Sequence, residues 1–203
     1  MKILSRKERD KQIRRTDILK AAEHIFALRG YHKATIRDIA KEAQYASGTV
    51  YLYFKDKDAL YFALLEEKMK DLLSIAKEKA SQVKDARKKL EIHVKEALVF
   101  FENNQDFFRI FISDENELFA EKNLLKSNTA LEMHLYTTSL LKEAQKQGVV
   151  SADFETERLA DVFSAIVKTI IMKWLQEKDS NRGSLVNLSG LILRLFLNGA
   201  AKS

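Results

Sequence analysis

The chain has no cysteine and no proline, and only six of its 203 residues are glycine. The absence of cysteine excludes disulfide bonds and thiolate metal sites, and it fits a reducing compartment such as the cytoplasm. Because proline is absent and glycine is scarce, few positions interrupt a helix. No alternating strand pattern bounded by turn residues occurs either. The sequence therefore predicts an all-α protein.

The sequence also shows neither the pattern of a secretory leader nor that of a membrane span. Residues 1–15 are rich in charge, and no apolar run reaches the ~18–20 residues needed to cross a bilayer. We therefore expect a cytoplasmic protein with no membrane partner. The sequence shows no glycine-rich phosphate loop, no metal-spaced cluster and no identifiable nucleophile with its base. We accordingly expect no catalytic activity, no metal and no cofactor.

Residues 35–57 have the pattern of two short helices joined by a tight turn, as in a helix-turn-helix DNA-binding motif. Thr35 is a candidate N-cap for the first helix, whose apolar residues recur at helical spacing. Ser47 is a candidate N-cap for the second helix, in which Val50 and Phe54 face the core. An αα-hairpin in an ordinary helical bundle would show the same periodicity.

The second helix would then turn its hydroxyl and aromatic groups towards solvent, where they suit contacts with DNA. We predict that Thr49 and Tyr51 lie near base edges. Gly48 removes bulk where the backbone would approach the DNA. Phosphate contacts are predicted for Thr35, Ser47, Tyr53 and Lys57, and Lys55 could neutralise a further phosphate.

Three stretches of sequence carry a more specific resemblance. Residues 18–31 (ILKAAEHIFALRGY), 48–58 (GTVYLYFKDKD) and 58–60 (DAL) together resemble the N-terminal domain of the tetracycline-repressor (TetR) family, over about residues 12–65. Two positions depart from the family, which usually has Gly in place of Gln44 and Ser in place of Ala46. The resemblance implies a ligand-responsive repressor that binds a palindromic operator in double-stranded DNA.

The distribution of charge supports this interpretation independently of the resemblance. Residues 1–60 contain 14 Lys and Arg against 8 Asp and Glu, a balance of +6, whereas residues 61–203 contain 21 of each. A net positive charge confined to one region is expected where a domain docks on phosphate. We predict a DNA-binding domain at residues 1–56 and an effector-binding and dimerisation domain at residues 57–203. The basic residues of the first 15 positions form either an arm along DNA or a solvated tail.

The predicted fold is an N-terminal three-helix helix-turn-helix domain followed by a C-terminal helical ligand-binding and dimerisation domain. Helical periodicity and the polar breaks between apolar stretches divide the chain into segments. The predicted helices lie at residues 11–29, 35–43, 47–53, 57–81, 86–103, 105–113, 121–147, 155–177 and 184–198. No internal repeat occurs.

The last predicted helix is apolar almost all round at residues 191–197 (LILRLFL). A single neighbouring layer cannot cover such a helix, so we expect it to form a homodimer interface through Leu191, Leu195 and Phe196. The alternative is a helix at the centre of a monomer core. TetR-like proteins dimerise through their last two helices, so the resemblance favours the interface.

Large rings are concentrated in the middle of the chain and could line a cavity for a small hydrophobic effector. A packed core is the alternative for the same residues, and His93 and His134 are interpreted as core or surface groups. A weaker resemblance to acyl-CoA-responsive regulators suggests an acyl thioester or a drug-like molecule. A constitutive DNA binder without a ligand is the competing function. The predicted ligand contacts are Phe101, Phe107, Phe108, Phe111, Phe163, Val167, Ile170 and Trp174.

Overall fold

A computed structural model describes residues 5–105, 108, 127–177 and 183–199. Every regular element within these residues is helical, which confirms the predicted all-α fold. The chain divides into two compact units, residues 1–68 and 69–203. The helices are α1 (Arg6–Lys33), α2 (Ile36–Glu42), α3 (Ser47–Tyr51), α4 (Lys57–Ser81), α5 (Ala86–Asn103), α6 (Asn128–Lys146), α7 (Thr156–Gln176) and α8 (Ser189–Gly199), with a 3-10 helix at Leu185–Leu188.

Helix α1 begins five residues earlier than predicted because a capping box starts it. The amide of Glu8 donates to Oγ of Ser5 at 3.2 Å, and the amide of Ser5 donates to Oε2 of Glu8 at 2.8 Å. The basic residues 6–15 therefore form the first turns of a helix. Gly30 interrupts the helix near its end with φ of 72°, a conformation that favours glycine.

The first unit packs the helix-turn-helix pair and the first half of α4 against α1. The rings of Phe26, Tyr31 and Tyr61 meet at centroid distances of 5.2–5.6 Å in its core. The ammonium of Lys68 on α4 pairs with Glu23 on α1 at 2.6 Å. Arg15 and Glu67 form a second pair between these helices. These ion pairs hold the middle of α4 against α1 within the first unit.

The second unit is a helical bundle in which α5 packs against α6 and α8, and α6 packs against α7. Its core is formed by apolar side chains that recur at helical spacing, so each helix buries one face. Ion pairs that bridge its helices include Lys79 with Glu96 at 2.8 Å and Lys89 with Glu143 at 2.7 Å. The largest fully buried side chains of the unit are Leu90, Leu98, Leu141, Phe163, Leu185 and Ile192.

The boundaries of α4 and α5 agree with the prediction, and a side-chain cap starts each helix. Asp56 accepts from the amide of Ala59 at the start of α4, and Asp85 accepts from the amide of Lys88 at the start of α5. Both helices have the predicted bounds. The last predicted helix differs, because its first turn is the 3-10 helix. The helix predicted at 105–113 lies almost wholly outside the described residues.

Candidate functional site

The first helix of the predicted DNA reader, α2, begins with a capping box on Thr35. The amide of Asp38 donates to Oγ1 of Thr35 at 3.1 Å, and the hydroxyl of Thr35 donates to Oδ2 of Asp38 at 2.6 Å. This hydrogen bond lowers the pKa of Asp38, and Arg29, paired at 2.8 Å, lowers it further. The predicted cap is confirmed. The hydroxyl of Thr35 bonds to Asp38 at the protein surface, and its assignment as a phosphate contact stays a prediction.

The turn between α2 and α3 is built around Gln44, which has φ of 59°. Glycine adopts this left-handed conformation most easily, since a side chain raises its energy. The hydroxyl of Tyr45 braces the turn by donating to Oδ2 of Asp17 on α1 at 3.0 Å. Helix α3 starts after Ala46 without a side-chain cap. The prediction that Ser47 is the N-cap is wrong, because Ser47 is already the first helical residue.

The face of α3 opposite the core holds the predicted base-reading residues. Val50 and Phe54 are buried, as predicted from the spacing. Tyr51 and Gly48 are exposed, whereas Thr49 and Tyr53 are half-buried. A Cβ built on Gly48 would meet no protein atom within 4 Å, so packing within the chain does not require a glycine there.

Sequence reasoning missed Leu52, the residue that follows α3. Its side chain is 82% exposed, next to Tyr51, on a surface that is otherwise polar. An apolar group at the end of a recognition helix suits contact with a thymine methyl group in the major groove. Its position between Tyr51 and Tyr53, which were both predicted to face solvent, could have indicated that Leu52 is exposed.

Lys57 has a different environment from the one predicted. Its ammonium donates to the backbone oxygens of Tyr31 at 2.7 Å and Ala34 at 3.2 Å, and lies 4.2 Å from the centroid of the Tyr31 ring. Burial lowers the pKa of Lys57. The assignment of Lys57 to phosphate is therefore corrected, because its charge stabilises the carboxyl end of α1. Lys55, two residues earlier, is exposed.

Replacing Lys57 and Lys55 separately by alanine should distinguish these two roles. We expect Lys57→Ala to destabilise the protein by about 1–2 kcal/mol, because carbonyl groups lose a charged donor, while the salt dependence of operator binding is unchanged. Lys55→Ala is the matched control and should flatten the salt dependence by about one unit without changing the melting temperature. Equal effects of both variants on the salt dependence would restore Lys57 as a phosphate contact.

The predicted ligand residues fall into separate clusters in the second unit. The ring of Phe108, which is buried, lies 4.3 Å from that of Phe101. The ring of Phe163, also buried, lies 4.8 Å from that of Phe196 on α8. Trp174 is buried and its indole N–H donates to the backbone oxygen of Gly183 at 2.7 Å. Val167 and Ile170 are half-buried, and Phe107 and Phe111 lie outside the described residues.

His93, which the sequence analysis interpreted as a core or surface group, lies beside Phe163. Nε2 of His93 is 3.1 Å from Oγ1 of Thr137, and its Nδ1 is buried without a hydrogen-bond partner among the described residues. Burial lowers the pKa of His93 to about 4, so the ring is neutral near pH 7. The sequence around a single histidine in a helix does not show that one of its ring nitrogens is buried without a hydrogen-bond partner.

The predicted dimerisation residues divide into two groups. Leu191 and Leu195 of α8 are exposed, the latter by 58%, whereas Phe196 is only 3% exposed. Phe196 is therefore a core residue against Phe163, which corrects its assignment to the interface. Val162 of α7 is 52% exposed and was not predicted. The last two long helices thus both present apolar side chains that this protomer does not cover.

Metal sites and membrane spans are both absent from the described ranges. No group of three or more His, Asp or Glu residues there could hold a metal ion. None of the helices described is long and apolar enough to span a membrane. The pair α2 and α3 forms a helix-turn-helix motif, with Tyr51 on α3 and the following Lys55 exposed. Together with a separate helical unit, it defines a helix-turn-helix transcriptional regulator.

Comparison with known proteins identifies the family. Residues 18–64 match the bacterial regulatory proteins of the tetR family. The chain is 26% identical over 192 residues to the fatty acid metabolism regulator protein of Bacillus subtilis, covering 90% of this chain and 93% of that one. It is 28% identical to the transcriptional regulator TtgR of Pseudomonas putida, covering 88% of each. These relatives are regulators rather than enzymes.

Solved structures share the fold. The fatty acid degradation regulator FadR from Bacillus halodurans superposes with a TM-score of 0.72 at 23% identity, over 92% of this chain and 95% of that one. FadR from Bacillus subtilis, in complex with stearoyl-CoA, gives a TM-score of 0.71 at 22% identity, over 91% and 98%. Residues 18–64 thus match the DNA-binding domain of the TetR family, and the chain is a ligand-responsive DNA-binding regulator of the repressor type.

Proposed function

We propose that this regulator binds a palindromic operator as a homodimer in the cytoplasm and leaves it when a fatty acyl thioester binds. The observation that carries the choice of effector is the similarity to a fatty acid metabolism regulator over 90% of the chain, including the effector unit. A related structure that holds stearoyl-CoA supports it. The effector would be amphipathic, with a long apolar chain that suits the ring-rich second unit.

Residues 1–56 act as the DNA-binding domain in this proposal, and residues 57–203 bind the effector and form the dimer. Thr49, Tyr51 and Leu52 read base edges in the major groove, while Ser47, Tyr53 and Lys55 contact phosphate. Gly48 allows the backbone to approach the DNA. The exposure of Tyr51, Leu52 and Lys55 and the net positive charge of residues 1–60 support this assignment.

The effector region comprises the predicted ring residues together with His93. The buried rings of Phe108 and Phe163 on different segments of the second unit support an apolar site. Binding lowers operator affinity if the ligand fits a state whose reader helices no longer match the ~34–36 Å spacing of successive major grooves. Because coupling is reciprocal, operator DNA must weaken ligand binding by the same factor, typically about 5–150-fold.

Titration of palmitoyl-CoA into the protein–operator complex tests this function. The operator can be selected from random duplex DNA, and fluorescence anisotropy of the labelled site reports release. We expect release at micromolar acyl-CoA, and a change in the fluorescence of Trp174, the only tryptophan. Free coenzyme A, which lacks the apolar chain, is the control. If a broad panel of lipids and drugs neither shifted the melting temperature nor released DNA, constitutive binding would replace this proposal.

Base reading is tested separately with variants of α3. We expect Thr49→Val to change the preferred base at one position of each half-site, with a cost of about 1–3 kcal/mol on the original site, because a base-edge contact is lost. Lys55→Ala should instead weaken all sequences to a similar extent. Selection of preferred sites from a random library measures both. A Thr49→Val protein with unchanged preference would exclude Thr49 from base contact.

A further inference from the structure

The side chain of His93, on α5, is enclosed by residues of α6 and α7. Its ring stacks on Phe163 with the centroids 6.1 Å apart and meets the ring of Tyr136 edge-on at 5.4 Å. Oγ1 of Thr137 lies 3.1 Å from Nε2. The other ring nitrogen, Nδ1, is buried and has no hydrogen-bond partner in the described part of the chain.

The hydrogen-bond partners of Thr137 determine which nitrogen of His93 carries the proton. The single hydroxyl proton of Thr137 is donated to the backbone oxygen of Met133, one turn earlier in α6, at 3.0 Å. Oγ1 must therefore accept from His93, which places the proton on Nε2. Nδ1 of the neutral ring is then a bare acceptor. A buried acceptor without a donor is unfavourable unless something else supplies one.

We propose that Nδ1 of His93 accepts a hydrogen bond from the effector, and that the effector therefore carries a hydroxyl or N–H group on its apolar body. The inference rests on the proposed function and narrows its ligand class from acyl thioesters in general to hydroxylated ones. An unsubstituted acyl chain would place methylene groups against the acceptor. A chain with a hydroxyl at the matching carbon would satisfy it, while Phe163 and Tyr136 contact the apolar remainder.

The same site has a direct contact to α4 within the second unit. The hydroxyl of Tyr136 donates to the backbone oxygen of Ala76 at 3.3 Å, and the ammonium of Lys77 lies 5.5 Å from the centroid of its ring. Tyr136 thus touches His93 with its ring and α4 with its hydroxyl. We assign Tyr136 as a positioning residue, through which occupation of the His93 site affects the helix that begins in the DNA-binding unit.

A ligand series and two variants test the proposal. The probes are palmitoyl-CoA and a set of hydroxypalmitoyl-CoAs that carry one hydroxyl at successive positions along the chain. We expect at least one isomer to bind the wild-type protein about 5–150-fold more tightly than palmitoyl-CoA, the range that corresponds to an unpaired buried polar group. The preference should disappear in His93→Phe, which keeps the stacking but removes the acceptor.

Tyr136→Phe is the matched control because it keeps the ring and His93. It should retain the preference for the hydroxylated isomer while reducing the release of operator DNA that the isomer causes. If it abolished the preference, the hydroxyl of Tyr136 and not Nδ1 would be the recognition group. If all isomers and palmitoyl-CoA bound equally and His93→Phe changed nothing, this inference would be overturned and the proposed function would stand.

Nitrogen NMR of the histidine rings provides a second measurement that is independent of folding effects in the variants. The signal of His93 is identified by its absence from the His93→Phe spectrum. In the ligand-free protein we expect Nδ1 to resonate as an unprotonated nitrogen without a partner, and to shift upfield when the preferred isomer binds. A hydrogen-bonded Nδ1 before ligand addition, as from an enclosed water, would overturn the proposal. If no acyl-CoA bound at all, the proposed function would fail together with it.

Discussion

Replacing Leu191 and Leu195 together by aspartate should convert the protein to a monomer and lower its operator affinity by about 10²–10⁴-fold, the gain that joining two binding modules provides. Both side chains are exposed in the protomer, so the charges should leave its own core intact. They would instead be buried without partners if α7 and α8 formed a four-helix bundle with a second copy. Analytical ultracentrifugation and operator titration measure the two effects.

The design of the control follows from the position of each apolar residue. Phe154→Asp introduces the same charge at an exposed apolar residue outside α7 and α8, and should leave the dimer unchanged. Phe196→Asp should unfold the protein instead, because Phe196 packs on Phe163 in the core. If the Leu191 and Leu195 double variant remained dimeric, or the wild-type chain sedimented as a monomer at micromolar concentration, this interface would be refuted.

The folded protein should lose stability in acid because of His93. Burial lowers the pKa of His93 to about 4 in the folded protein, against about 6.5 for an unperturbed histidine. Between these values the unfolded chain binds a proton that the folded protein excludes. The free energy of unfolding therefore falls as the pH drops from 6.5 to 4, by up to about 3 kcal/mol from this group. Above pH 6.5 the ring of His93 is neutral in both the folded and the unfolded state, so this loss of stability is absent.

Comparison of the wild-type protein with His93→Phe isolates this contribution. The variant should lose this part of the acid dependence, while the contributions of titrating groups common to both proteins cancel in the difference. Urea denaturation at several values of pH between 4 and 7 measures the free energies of unfolding. Parallel curves for the two proteins would show that His93 takes up its proton at the same pH in the folded and unfolded states.

Local sequence was sufficient to predict much of the fold. The motif at residues 35–57 was predictable because the spacing of its apolar residues defines its buried face. The starts of α4 and α5 were predictable because Asp56 and Asp85 each bond to a backbone amide three residues later. Thr35 was correctly identified as a cap for the same reason. Such signals depend on neighbours along the chain, so a single sequence contains them.

Contacts between distant residues explain the corrections. Lys57 bonds to the backbone oxygen of Tyr31, 26 residues away, so a lysine that follows a recognition helix could not be distinguished from a phosphate ligand. Phe196 and Leu195 are adjacent in an apolar run, yet only one packs on Phe163. His93 and Thr137 are 44 residues apart. Packing between distant residues decides whether such a side chain lies in the core or at the surface, and the sequence alone does not show that packing.

The uninterrupted course of α4 has a consequence for protein engineering. The division between the two units falls within this helix, between residues 68 and 69, and the helix contains neither glycine nor proline. A chimera that joins the reader of another regulator at this point must therefore preserve helical phase. One inserted residue would rotate everything beyond it by about 100° and advance it by about 1.5 Å, whereas seven would come back to within about 20°. A chimera that exchanges the effector-binding units of two such proteins must therefore keep the helical register of α4.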